Sequence, residues 1–185
     1  RQMCIRDSRR REQERAADIL GVKELVWLGY RDAYLPYSFE IRDQLIRILR
    51  KYKPGLVLIP DPWVSYEAHP DHRHGGLMGA EAAFYASLPN VNRESIEEGL
   101  TPSSPSYVVF YFTEKPNLYV DVTDVFECKV EAVKKHESQF GEEIEEILKK
   151  IGERYGAEIR VKYAEAFKVI RPYCLHIFEV FCQDF

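Results

Sequence analysis

The chain has 185 residues, 45% of them hydrophobic, enough to bury a core in one domain of ordinary size. Its 26 basic and 30 acidic residues are mixed along the sequence and leave a formal charge of -4, so there is no basic field of the kind that draws nucleic acid. No apolar run approaches the roughly 20 residues of a bilayer span and no secretory pattern opens the chain. The expectation is a soluble protein without nucleic-acid or membrane partners. Cys4, Cys128, Cys174 and Cys182 are scattered without a CxxC pair, which predicts neither a thiolate zinc site nor a disulfide framework and fits a reducing cytoplasm.

Residues 1–8, RQMCIRDS, carry no apolar period. They are set apart from the fold as adapter-derived sequence or a frayed terminus, leaving 9–185 as a single domain. Residues 9–20 place Ala16, Ala17, Ile19 and Leu20 on a helical period that Gly21 closes, and LVWL at 25–28 reads as a short strand. From Ser38 to Tyr52 the spacing of Ile41, Leu45, Ile46, Ile48 and Leu49 predicts a helix, ended by Pro54-Gly55 before the buried-strand run Leu56 to Ile59. Leu25–Leu28 and Leu56–Ile59 are expected to be neighbouring parallel strands. A helix is predicted over 77–88, a long polar connection or lid over 92–106, strands over 107–112 and 118–122, and helices over 124–139 and 142–155. Alternation of this kind argues for a layered α/β fold with a largely parallel sheet, in which ligands gather at the carboxyl ends of strands.

EAHPDHRHGG, residues 67–76, sits at such an end and holds three of the five histidines. Histidine is the commonest zinc ligand, and hydrolytic zinc sites use three protein ligands with one position left for water. Pro70 suits the first position of a helix, so His69 and His72 can point from a strand-to-helix turn into one pocket, with Asp71 orienting an imidazole. The other reading of the spacing is three histidines clustered on a surface loop.

The run PDPWVSYEAHPDHRHGG resembles the second signature of the PIG-L/LmbE-like N-acetylglucosaminyl deacetylases. RRREQERAADILGV, WLGYRD, VDVTDVFECKVEAVKKHESQF and YAEAFKV are similar to that family's other blocks, in order. DPWVSYEAHPDHR, EKPNLYVDVTD and YGAEIRVKYAEAF look most like its archaeal-type diacetylchitobiose deacetylases. The resemblance implies a Rossmann-like three-layer sandwich, a Zn2+ cofactor, a homo-oligomer, and hydrolysis of the N-acetyl group of an N-acetylglucosamine-containing saccharide of the diacetylchitobiose kind. It implies His72 as metal ligand, and His69 as the catalytic histidine that stabilises the tetrahedral intermediate or protonates the leaving amine. Asp71 becomes its catalytic partner in the surrounding shell, Arg9 and Asp32 hold sugar hydroxyls, and His176 stands at a subunit boundary near the site. His136 and Gln139 belong to a family block with either packing or functional roles. The family's first signature, His-Pro-Asp-Asp, supplies two more ligands and the general base. Here His-Pro occurs only at 69–70, so the expectation is an inactive fragment that lacks the first strand-helix-strand segment. The alternatives are a non-catalytic sugar-binding or oligomerisation module, or a deacetylase of another N-acetylglucosamine conjugate.

Overall fold

The computed structural model describes residues 2–176, grouped into two compact units, residues 2–29 with 119–165 and residues 30–118 with 166–176. The sequence reading had one domain over 9–185. The fold is α/β, with a four-stranded sheet in the order β1-β2-β4-β3, namely Leu56–Pro60, Tyr107–Tyr111, Ala164–Ile170 and Leu118–Asp121. β1 runs parallel to β2, Leu56 opposite Tyr107 through Pro60 opposite Tyr111. β2 runs antiparallel to β4, Val108 opposite Ile170, so the sheet is mixed where a largely parallel one was expected.

In the larger unit, α2 (Phe39–Tyr52) begins because Ser38 is extended and its Oγ accepts the Ile41 N–H at 3.2 Å. It ends at Lys53, left-handed at φ 46, whose N–H closes on the Leu49 carbonyl. α3 (Pro70–Tyr85) opens with Pro70 in its first turn, seven residues earlier than the apolar period suggested. Ile46 and Leu49 of α2, Ala80, Ala82 and Ala83 of α3, and Val108 and Phe110 of β2 form the core. The small residues of α3 let its backbone lie close to β1. At Gly76 a Cβ would run into the Pro60 carbonyl oxygen and come within 3.0 Å of Pro62 Cβ, whereas at Gly75 it would meet only Leu35 Cδ2 at 3.7 Å. Gly-to-Ala normally gains about 1 kcal/mol in a helix interior, but overpacking against a backbone atom costs about 1–3 kcal/mol. Thermal melts of Gly75→Ala and Gly76→Ala should therefore move in opposite directions, the first neutral to stabilising and the second clearly destabilising. A Gly76→Ala protein that melts no lower than the parent contradicts the close packing. The polar stretch 92–106 is not wholly irregular: α4 (Arg93–Glu97) starts it, capped by Asn92 Oδ1 on the Ser95 N–H.

In the smaller unit, α1 runs Gln2–Ile19 without a break at Arg9. Leu25 to Leu28 form no strand, and Val26, Trp27 and Leu28 are exposed. An apolar run becomes a strand only with a ladder partner, and among the described residues this one has none. α5 (Phe126–Lys134) and α6 (Ile144–Ile159) enclose a second core in which the Phe126 and Tyr163 rings stack at 3.8 Å beside Val130 and Leu148. Gly152 of α6 leaves room for those rings, since a Cβ would sit 3.0 Å from Phe126. Cys174, in the larger unit, is disulfide-bonded, correcting the expectation drawn from cysteine spacing. Among the described residues no helix is long and apolar enough to cross a membrane.

Glu12 of α1 is only 3% exposed. Its carboxylate accepts from Ser138 Oγ at 2.7 Å, the Ser138 N–H at 3.2 Å and Ser8 Oγ at 3.2 Å, which fixes the turn after α5. Burial opposes the charge, but these hydrogen bonds and nearby His136 outweigh it and hold Glu12 below the usual carboxylate range. A lowered folded pKa means stability that is present above the unfolded value of about 4.5 and is lost as pH falls through the folded one. The gap in melting temperature between the parent and Glu12→Gln should therefore be widest near pH 7 and shrink towards pH 3. A gap that grows on acidification contradicts this.

Candidate active site

The loop leaving β1 returns to α3 through Tyr66, left-handed at φ 65, and this bend turns Glu67 towards the helix N-terminus. Glu67 Oε1 accepts the His69 N–H at 2.7 Å, and Oε2 lies 3.0 Å from His72 Nδ1. The hydrogen bond from His72, then that from the His69 amide, keeps Glu67 ionised below its ordinary range. His69 is the residue preceding the helix and His72 lies one turn on, so their rings stack at 4.6 Å with 21° between planes. His69 Nδ1 is buried with no hydrogen-bond partner among the described residues.

Asp71 is bound by two backbone amides. Its two oxygens accept the Ala33 N–H at 2.7 Å and the Leu35 N–H at 2.9 Å, and His74 Nδ1 sits 2.7 Å from the Leu35 carbonyl. The first two turns of α3 thus clamp the Gly-Tyr-Arg-Asp turn, and Ala33 takes a left-handed φ of 64 to fit. The clamp sets Asp32 beside His69: ligand atoms of Asp32, His69 and Asp71 all lie within 4.8 Å of one another. Glu67 was missed in the sequence, although an acid two residues before His69 and five before His72 was visible in EAHPDH.

Two donor sets are therefore present. Asp71 in the Asp32, His69, Asp71 group has both oxygens engaged by amide donors. In the other, a carboxylate takes Nδ1 of His72 and leaves Nε2 for a metal, which is how outer carboxylates orient metal-binding imidazoles. The residues fit a metal at His72 Nε2, with the uncommitted Nδ1 of His69 in the neighbouring ring.

Arg9 is on α1, in the smaller unit. His136 and Gln139 face each other at 3.4 Å after α5. His176 stacks on Phe84 at 5.6 Å, at the opposite end of α3 from His69. At 1.5 Å per residue that is about 20 Å along the helix, and the residue is exposed.

A strand-to-helix turn carrying His-Pro-Asp-His in an α/β chain defines a class. The GlcNAc-PI de-N-acetylase (PIG-L) family model matches residues 2–83, and over that span the chain resembles that family. Among particular relatives, it is 46% identical over 170 residues to the diacetylchitobiose deacetylase of Thermococcus kodakarensis, covering 90% of this chain and 64% of that protein. It is 31% identical over 150 residues to a probable N-acetyl-alpha-D-glucosaminyl L-malate deacetylase 2 of Bacillus anthracis, covering 75% and 59%. The solved N,N'-diacetylchitobiose deacetylase of Pyrococcus horikoshii, complexed with its inhibitor, matches with a TM-score of 0.87 at 44% identity, over 92% of this chain and 66% of that one. The chain thus spans less than two thirds of each of these relatives.

Proposed function

We propose that these residues serve a zinc-dependent N-deacetylase that removes the acetyl group from an N-acetylglucosamine-containing saccharide of the diacetylchitobiose kind. The observation that carries the reading is the Glu67–His72–His69 arrangement, one imidazole prepared for metal and a second stacked against it with an uncommitted nitrogen. The names of the relatives supply the substrate class. Zinc would supply Lewis-acid polarisation of the acetyl carbonyl and a water of lowered pKa. Glu67 fixes the His72 tautomer, His69 holds the proton that goes to the leaving amine, and Asp32 accepts from a sugar hydroxyl. Asp71 and His74 position Asp32 by holding its turn and do not touch substrate, which revises the catalytic role first given to Asp71. With one His-Pro pair in the sequence, no residue here is assigned as general base. The reading keeps a homo-oligomer as the assembled form, with His176 at a subunit boundary.

The test is acetate release from N,N'-diacetylchitobiose, by the 185-residue chain and by a chimera in which the N-terminal part of the Thermococcus kodakarensis relative precedes residues 9–185. The reading expects release by the chimera with added zinc and none after chelation. A well-folded, zinc-loaded chimera that releases no acetate overturns it.

A further inference from the structure

The two loops that follow the parallel neighbours β1 and β2 leave the sheet at the end where His69 and His72 stand. The Asp61 N–H donates to the Tyr111 carbonyl at 2.9 Å, and Ser65 Oγ donates to Glu114 Oε2 at 3.0 Å, tying one loop to the other. Three aromatic residues sit on these tied loops with their rings in solvent: Trp63 is 58% exposed, Phe112 70%, and Tyr66 fully. Phe112 lies 6.2 Å from the His72 ring and is braced edge-on by Tyr111 at 5.0 Å. Trp63 is braced by Phe110 at 5.4 Å and by its N–H on Asp61 Oδ1.

The backbone makes these placements informative. Phe112 at φ 58 and Tyr66 at φ 65 occupy the left-handed region that bulky residues avoid and that glycine or asparagine takes without strain. A ring held there and left in water serves neither the core nor the turn. Strain of this sort concentrates where a ligand is met.

We infer that Trp63 and Phe112, with Tyr66 at the rim, form an aromatic platform that stacks the second pyranose ring of the saccharide, next to the ring that bears the acetamido group presented to His69 and His72. The inference rests on the saccharide reading above and deepens it. The apolar CH face of a pyranose lies on an aromatic ring while its edge presents hydroxyls. Ser65, Glu67 and Glu114 punctuate this surface with groups that such hydroxyls satisfy. An apolar helix or a second copy of this chain would strip water from the Glu67 and Glu114 carboxylates without offering new donors, at a cost.

The experiment is isothermal titration of the 185-residue protein with N,N'-diacetylchitobiose and with N-acetylglucosamine, alongside Phe112→Gly and Trp63→Leu. The parent should bind the disaccharide roughly tenfold more tightly than the monosaccharide, the order of effect that stacking on an aromatic side chain supplies, and both variants should bring that ratio to about one. Phe112→Gly should melt no lower than the parent, because it relieves the left-handed backbone and gives up only a solvent-exposed ring; a packing residue would melt lower. A ratio unchanged in both variants, a parent that binds neither sugar, or a change in sedimenting size without a change in the ratio overturns the platform. Since binding rather than acetate release is read, a lost ratio with no deacetylation by the chimera leaves the platform standing and removes the catalytic reading alone.

Discussion

Arg50→Met is expected to destabilise the larger unit by about 4 kcal/mol, most of the margin of a small domain. Arg50 is 0% exposed, and every donor it has is used. Its Nε donates to the Ala86 carbonyl at 3.0 Å. Nη1 donates to the Asn92 carbonyl at 3.0 Å and to Ser95 Oγ at 2.6 Å, and Nη2 to the Leu88 and Val91 carbonyls at 2.8 and 3.0 Å. A single side chain on α2 thereby holds the whole connection from the end of α3 to α4. Methionine matches the volume but removes five hydrogen bonds: among the described residues the Val91 carbonyl and Ser95 Oγ are left without a donor, while the Ala86, Leu88 and Asn92 carbonyls keep only the N–H groups of Ser103, Val91 and Ser95 and, for Asn92, the Ser95 hydroxyl. Each unmet buried group costs about 1–3 kcal/mol, reduced in sum because the segment can move towards water. Burial pulls the Arg50 pKa down while Asp43 acts against it, and the ion stays charged because its hydrogen bonds replace hydration. Arg50→Lys brings three donors without the planar fork and should fall between, at about 2 kcal/mol. Urea unfolding followed by tryptophan fluorescence gives the numbers, and amide exchange over residues 86–95 locates them. Loss below about 1 kcal/mol for Arg50→Met, or exchange unchanged in that segment, would show that the network carries little of the stability.

The same network explains why the polar stretch 92–106 could not be read locally. Its helix α4 is fixed by Asn92 in a left-handed conformation and by a guanidinium more than forty residues away, and neither leaves an apolar period. By contrast α2 was legible in full, because its stop, its cap at Ser38 and its stripe are all local. Strand β1 was legible for the same reason, a short apolar run bounded by Gly55 and Pro60. The run LVWL looked similar and failed, since the composition of a strand carries no information about its partner. β4, Ala164–Ile170, erred the other way: alanine, glutamate and lysine are weak strand formers, and the segment is recruited by its pairing with β2 and by Asn117, which accepts the Val169 N–H at 2.7 Å and donates to the Val169 carbonyl at 3.0 Å. In the site, the His69–His72 pair followed from a proline at a helix start. The division of labour between the carboxylates did not, because Asp71 is satisfied by amides 36 and 38 residues upstream, while Glu67 reaches His72 only through the left-handed turn at Tyr66.

The largest functional effects are expected at the two stacked histidines, and they should differ in kind. In the chimera described above, His72→Ala should lose bound zinc and acetate release together, because a catalytic zinc site depends on three protein ligands in fixed geometry. His69→Ala should keep its zinc while kcat falls by roughly 100-fold to 10,000-fold, the range for a lost proton-transfer group. Glu67→Gln, which keeps a hydrogen-bonding oxygen but removes the charge that orients His72, should weaken metal binding by about 10-fold to 100-fold, as changes in the outer shell do. Asp71→Asn leaves the ligand nitrogen of His72 untouched and should retain zinc while loosening the Asp32 turn, so its effect should fall on KM for the saccharide. The 185-residue chain alone, with His72 as its one prepared imidazole, should bind zinc weakly and release no acetate. Elemental analysis of the purified proteins beside an acetate assay separates the outcomes. Zinc lost from His69→Ala and Asp32→Asn but retained in His72→Ala would move the metal to the Asp32, His69, Asp71 group and reverse the roles of the two rings.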